Sequence, residues 1–352
     1  MFITALGTAV PATRYTQREC WDALRAAPQF AALRAPSRVL LERLLTGEHG
    51  VRARHLALER LAEAFSIDPD VLARRFARHA PELATRAARA ALERARLSGA
   101  AVDALVVSTC TGYLCPGLTS HVAERLGLRA DVLGLDLVGQ GCGAALPNLR
   151  TGEALLAAGR AGHVLCVCVE VCSAALYIDD DPGVLVSACL FGDGAAAAVV
   201  SRRPDGEGRK VQWLDAASVV DPRERDSLRM ESRHGLLRNL LSREVPRVAA
   251  EHANDLLNDM LARHRLQKRD ISGWIWHAGG RTVLERLRAV TGLDERDTRR
   301  SAELLARFGN LSSPFVLFVL AQALEERAAP GRWWMSSFGA GFSCHGALLD
   351  VA

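Results

Sequence analysis

Short runs of β-branched and small apolar residues alternate along this chain with longer segments in which Leu, Ala and Val recur every three or four positions among Arg and Glu. The first kind reads as buried strand and the second as amphipathic helix. Strands are predicted at residues 2–9, 104–108, 131–136, 163–171, 195–201, 211–218, 273–277, 333–338 and 345–350. Helices are predicted at 17–25, 37–45, 58–65, 81–97, 119–126, 144–158, 245–263, 281–290 and 313–327. The stretch 315–320 is apolar on every side and predicts a core helix. The decapeptide 201–210, rich in Arg, Pro, Asp and Gly, is the most loop-like segment. Strands alternating with helices on both sides of it predict α/β layers in two related halves, 1–205 and 206–352.

Composition narrows the function. The chain has 352 residues and a formal net charge of +4, with 44 Lys+Arg against 40 Asp+Glu, and nearly all the basicity is Arg. It carries no basic block, aromatic stacking motif or zinc-finger spacing, which argues against nucleic acid as a partner. The nine cysteines (20, 110, 115, 142, 166, 168, 172, 189 and 344) lie mostly in apolar runs and do not form a secreted disulfide framework, so a cytoplasmic location is expected. The opening Met1-Phe-Ile-Thr lacks the basic start of a signal peptide, and no apolar run reaches the roughly 18 residues of a membrane span.

Three turn-sited polar residues carry the candidate chemistry. In Asp136-Leu-Val-Gly-Gln-Gly-Cys142-Gly-Ala, a strand ends, glycines permit a tight turn and a helix begins. A cysteine there is expected to have a lowered thiol pKa, because a helix start favours thiolate, and so to serve as a nucleophile. Its bland alternative is a small residue packed in an elbow. Trp276-His277-Ala-Gly-Gly places a histidine where a strand breaks, and Gly309-Asn310-Leu-Ser-Ser places an amide just ahead of a helix. Separately these read as a core histidine and a helix cap.

Together with Leu190-Phe191-Gly-Asp-Gly-Ala195 and Ser337-Phe-Gly-Ala-Gly-Phe342, these segments resemble the bacterial type III polyketide synthases of the chalcone synthase superfamily, over nearly the whole chain from Leu6-Gly-Thr-Ala-Val-Pro onward. The resemblance implies a thiolase-like layered αβαβα fold built of two pseudo-repeated halves, and a homodimer. It implies acyl-CoA starter and malonyl-CoA as substrates, with no cofactor or metal. Cys142 would be the acylated nucleophile. His277 would stabilise its thiolate as an imidazolium, and His277 and Asn310 would hold the oxyanion formed on decarboxylation. Repeated extension and cyclisation would follow, to an alkylpyrone or alkylresorcinol.

The same resemblance places Thr111, Cys115, Cys172, Ala175, Leu176 and Ser312 in the substrate pocket, with Cys115 reaching across the dimer, and sets Arg52 and Arg54 near the coenzyme A phosphates. Ala175 and Leu176, smaller than the threonine and aromatic gatekeeper of plant enzymes, suggest a fatty acyl starter. Ala278 and Ala340 depart from the prolines more common in the family. Alternatives are a ketoacyl synthase III-like enzyme making one condensation, which usually shows His-Gln-Ala-Asn where this chain has His277-Ala-Gly-Gly, and a silent homologue acting as a binding subunit. Cys166 and Cys168 alternate at strand period and read as buried hydrophobes rather than metal ligands. Gly192-Asp193-Gly194 reads as a structural turn and Asp179-Asp180-Asp181 as an exposed one.

Overall fold

The computed structural model describes residues 1–204 and 208–352. In chain order the elements are β1 (Phe2–Ala9), β2 (Arg14–Thr16), α1 (Gln17–Arg25), α2 (Pro28–Ala32), α3 (Ala35–Thr46), β3 (Ala53–His55), α4 (Pro69–Ala95), β4 (Ala104–Ser108), α5 (Leu118–Leu126), β5 (Leu133–Leu137), α6 (Ala145–Ala157), β6 (His163–Glu170), α7 (Pro182–Leu190), β7 (Gly194–Ser201), β8 (Val211–Val220), β9 (Leu228–Arg233), β10 (Leu236–Leu241), α8 (Val245–Arg263), β11 (Ile271–Trp276), α9 (Arg281–Thr291), α10 (Glu295–Phe308), α11 (Phe315–Glu325), β12 (Gly331–Gly339) and β13 (Ser343–Val351).

Nine strands hydrogen-bond in the order β11-β12-β13-β8-β1-β7-β6-β4-β5. The order is a near-palindrome. On one side β4 and β6 are parallel and β6, β7 and β1 antiparallel; on the other β11 and β12 are parallel and β12, β13 and β8 antiparallel. The halves therefore repeat, with β5 as an extra edge strand on the first. Within the sheet they are joined where Phe2 and Ile3 of β1 pair with Gln212 and Val211 of β8. Helices α6 and α11 pack against strands of both halves and form the middle layer, while α4 and α5 cover one outer face and α8 the other.

Alternation along the strands feeds two cores. Val106, Val164, Cys166, Cys168, Ala196 and Ala198 join the core shared with α6 and α11. Leu105, Val107, Leu165, Val167, Ala195 and Ala197 join the core under α4. The cysteine pair thus fills space as small buried side chains. Helix α4 lies directly on β1, because its inner face is Ala84, Ala87, Ala88 and Ala91, and Gly7 has no Cβ to strike the Ala87 carbonyl.

Several expectations are corrected. The helix predicted at 81–97 starts twelve residues earlier: Pro81 lies inside α4, and Leu72, Phe76 and Ala80 bury one face of the earlier turns. The helix predicted at 58–65 is only a 3-10 turn, Leu61–Phe65. The hairpin β9–β10 and the helices α7 and α10 lie outside the predicted elements. The boundary placed at 205/206 lies outside the described residues. Among the described residues no helix is long and apolar enough to cross a membrane.

Candidate active site

Cys142 lies in a 3-10 turn, Gly141–Gly143, that runs into α6. The turn depends on glycine: Gly141 takes φ +55°, and Gly339 at the end of β12 presses so closely on Gln140 and Gly143 that a Cβ there would overlap their backbone. Ser337 Oγ donates to the Gly143 carbonyl at 3.1 Å. A strand of the second half thereby clamps the Cys142 turn of the first.

His277 follows β11, its backbone N–H donating to the Ser336 carbonyl. The ring is buried edge-on between Phe315 and Phe338, with centroids 5.4 and 5.0 Å away. Neither ring nitrogen has a hydrogen-bond partner. Asn310 is not a helix cap, since α11 starts at Phe315 behind Pro314. Its backbone instead pairs with Phe191. Its Oδ1 accepts from the Ser312 N–H at 2.8 Å, which turns Nδ2 the other way, where it makes only a long 3.4 Å contact to the Gly279 carbonyl. The amide donor is therefore oriented and loosely occupied.

Ser312 takes a left-handed φ of +60°, a cost of roughly 1 kcal/mol for a residue with a Cβ. From there its Oγ donates to Cys142 Sγ at 3.3 Å and reaches Glu170 at 3.4 Å. Glu170, at the end of β6, is a site residue that sequence reasoning misses. It is fully buried and accepts from Ser313 Oγ at 2.6 Å, Thr111 Oγ1 at 2.9 Å and the Cys110 N–H at 3.0 Å. Burial raises its pKa, and the Ser313 and Cys110 hydrogen bonds oppose that. A single glutamate after an apolar strand carries no spacing signal that could reveal it.

The electrostatics differ from expectation. Burial pushes the Cys142 thiol up to about 12, although the Ser312 hydrogen bond works the other way. Burial also pushes His277 down to about 3. Desolvation outweighs the helix start, so burial favours an uncharged thiol and an uncharged imidazole over the thiolate and imidazolium.

Two cavities meet at Cys142. A wide one, about 1170 Å³, is lined by Cys142, His277, Asn310 and Phe338, and its polar wall includes Arg34, His49, Arg243 and Arg281. The other is narrow and apolar. It brings Thr111, Cys172, Ala175, Leu176 and Ser312 together with Cys142, then continues past Leu24, Leu41, Leu45, Leu61 and Phe65. A third, about 560 Å³, opens beside the Thr109–Tyr113 loop and Ala340.

Arg54 lines the apolar cavity, but it is buried and its Nη1 donates to the Ala188 and Phe191 carbonyls at 2.7 and 3.0 Å, so it braces backbone instead of standing at a solvent-facing phosphate site. Arg52 is exposed and lines none of the three cavities, and neither does Cys115. Asp193 is the structural turn expected, accepting from Ala57 N–H and from both Ser173 donors. Among the described residues no three His, Cys, Asp or Glu side chains converge to hold a metal ion.

The family described as FAE1/Type III polyketide synthase-like protein matches residues 63–252, and the chalcone and stilbene synthase C-terminal domain matches residues 222–349. A 1,3,6,8-tetrahydroxynaphthalene synthase of Streptomyces peucetius subsp. caesius is 34% identical, over 99% of this chain and 92% of its own length. The alpha-pyrone synthesis polyketide synthase-like Pks18 of Mycobacterium tuberculosis is 29% identical over 86% of this chain and 80% of its own. The crystal structure of PKS-I from the brown alga Ectocarpus siliculosus superposes with a TM-score of 0.90 at 26% identity, covering 99% and 98% of the two chains.

Proposed function

This chain belongs to the type III polyketide synthases, decarboxylating condensing acyltransferases, and from that premise we propose that Cys142, His277 and Asn310 carry its chemistry on acyl-CoA and malonyl-CoA. The observation that carries the reading is the wide cavity, which exposes thiol, imidazole and amide to one bound substrate.

The starter thioester enters the wide cavity. Cys142 attacks its carbonyl as His277 takes the thiol proton, and the imidazolium returns that proton to the departing coenzyme A sulfur. Malonyl-CoA then places its thioester oxygen against His277 and Asn310 Nδ2. Two donors at that oxygen stabilise the enolate formed as carbon dioxide leaves, and one such donor is worth about 100- to 1000-fold in rate. The enolate carbon attacks the Cys142 thioester and frees the sulfur. Return of the lengthened chain to Cys142 permits iteration and then ring closure. The thioester carbonyl itself accepts the electrons, so the cycle calls on no cofactor.

The apolar cavity supports a fatty acyl starter and an alkylpyrone or alkylresorcinol product, because its far wall is Leu24, Leu41, Leu45, Leu61 and Phe65. Arg34, Arg243 and Arg281, not Arg52 and Arg54, stand where anionic phosphates of the carrier would meet the cavity. A homodimer is supported by Tyr113 and Val138, 78% and 59% exposed, which with Leu133 flank the segment carrying exposed Cys115. Mass spectrometry of products from malonyl-CoA with acetyl- to palmitoyl-CoA tests the reading. Multiply extended products from long starters support it, and single-condensation products or none overturn it.

A further inference from the structure

Among the described residues the ribbon β9–β10 pairs with no other strand, and a lone hairpin is marginally stable. Residues of both strands line the cavities, chiefly from the face of Leu228 and Met230, with Arg229 also reaching the apolar one. Its register sets Leu228 opposite Leu241 and Met230 opposite Asn239. Leu228 lines both the wide and the apolar cavity, Met230 and Asn239 the apolar one, and Leu241 the wide one.

On the other face Arg238 stands opposite Glu231. Its side chain is only 11% exposed and pairs with Glu231 at 2.8 Å, Asp179 at 2.8 Å and Asp181 at 3.4 Å. The acidic run before α7 is therefore not a free turn. Asp181 also caps α7 through the Gly183 and Val184 N–H groups. Asp180 accepts from Ser37 Oγ and the Arg34 N–H at the start of α3. A continuous set of charge-assisted contacts thus ties the roof (β9–β10), the wall (α7) and the floor (α3) of the substrate cavities. The close approach of Gly183 to the Leu241 backbone anchors the base of the ribbon, while Arg238 carries the ribbon's ion pairs to the acidic run before α7 and shares Glu231 with Arg229.

We propose that Arg238, through Asp179, Asp181 and Glu231, is a positioning residue that fixes the height of the β9–β10 roof and so selects how long a chain the synthase accepts and builds. The inference rests on the polyketide synthase reading of the same cavities. Arg238 touches no reacting atom: it acts through Met230 and Asn239, which do face the growing chain. A buried charge whose partners are intact is stable, whereas unbalancing the cluster moves the ribbon.

The test is the product distribution of Arg238→Met, which keeps the stem and removes the fork, beside Arg238→Lys, which keeps the charge but cannot form both short bonds. The wild type is assayed first with malonyl-CoA and the acyl-CoA series; no polyketide at that step defeats the synthase reading itself. Given wild-type product, Arg238→Met is expected to change the ratio of chain lengths by about tenfold, the discrimination of one methylene of fit, with malonyl-CoA decarboxylation nearly unchanged and Arg238→Lys in between. A uniform fall in all products at constant ratio, or no change, overturns the inference. Should Arg238→Met fail to fold, Asp179→Asn is read by the same ratio: a shifted distribution supports the inference and a constant one overturns it.

Discussion

The Ser312 hydroxyl donates to the Cys142 thiol at 3.3 Å, from a backbone held at φ +60°. That contact opposes the burial which raises the thiol pKa. Ser312→Ala removes it and is expected to slow alkylation of Cys142 by iodoacetamide about tenfold at fixed pH, the scale of one hydrogen bond to a charged group. Mass spectrometry of the Cys142 peptide over time checks this, and an unchanged rate would mean that the hydroxyl does not favour the thiolate.

Wild-type alkylation has its own pH signature. With the thiol at about 12 and the imidazole at about 3, both groups are uncharged at neutral pH. The thiolate fraction, and with it the rate at Cys142, should rise about tenfold per pH unit between about pH 7 and about pH 9 without levelling. A plateau below that range would show a thiolate already present at rest, the ion pair expected from sequence.

The two half-reactions separate by mutation. Cys142→Ala should abolish polyketide formation while malonyl-CoA decarboxylation persists, because His277 and Asn310 remain. Asn310→Asp keeps the acceptor for the Ser312 N–H but loses the donor, and should lower decarboxylation about 100- to 1000-fold. Carbon dioxide release and product yield, measured together, distinguish the two. Polyketide from Cys142→Ala at wild-type level would remove it as nucleophile.

Leu176 lines the apolar cavity together with Cys142, Leu24, Leu41 and Leu45. Leu176→Trp should therefore shorten the preferred starter, cutting turnover of palmitoyl-CoA about tenfold or more relative to a short acyl-CoA. An unaltered preference would put the acyl chain elsewhere.

What is legible in the sequence follows from where a local pattern coincides with a tertiary demand. Strand 104–108 and helix 245–263 can be read residue for residue, since each is apolar or amphipathic from end to end. Cys142, His277 and Asn310 are visible because turn glycines mark them. Elements whose pattern is set by partners are not. The ribbon β9–β10 is interrupted by Arg, Glu and Asn, although His234 and Gly235, both at positive φ, form its turn. Helix α10 is half charged, with Leu304 and Leu305 buried at its end. Local rules make Pro81 a helix start, while the packing of Phe76 and Ala80 carries α4 through it. Arg54 and the acidic run at 179–181 look like solvated charge, and only the fold reveals the carbonyls and the arginine they meet. The expected lowering of the thiol pKa fails for a related reason: a helix start is local, whereas desolvation comes from the whole enclosure.

The palindromic sheet has a consequence for the life of the chain. Cys142 emerges from the ribosome well before His277, Asn310 and the clamp at Gly339 exist. Until the second half docks along α6 and α11, the nascent protein holds Cys142 without His277 or Asn310 beside it. The wide cavity, lined by Cys142 from the first half and by His277, Asn310 and Phe338 from the second, therefore forms only once the second half has folded against the first.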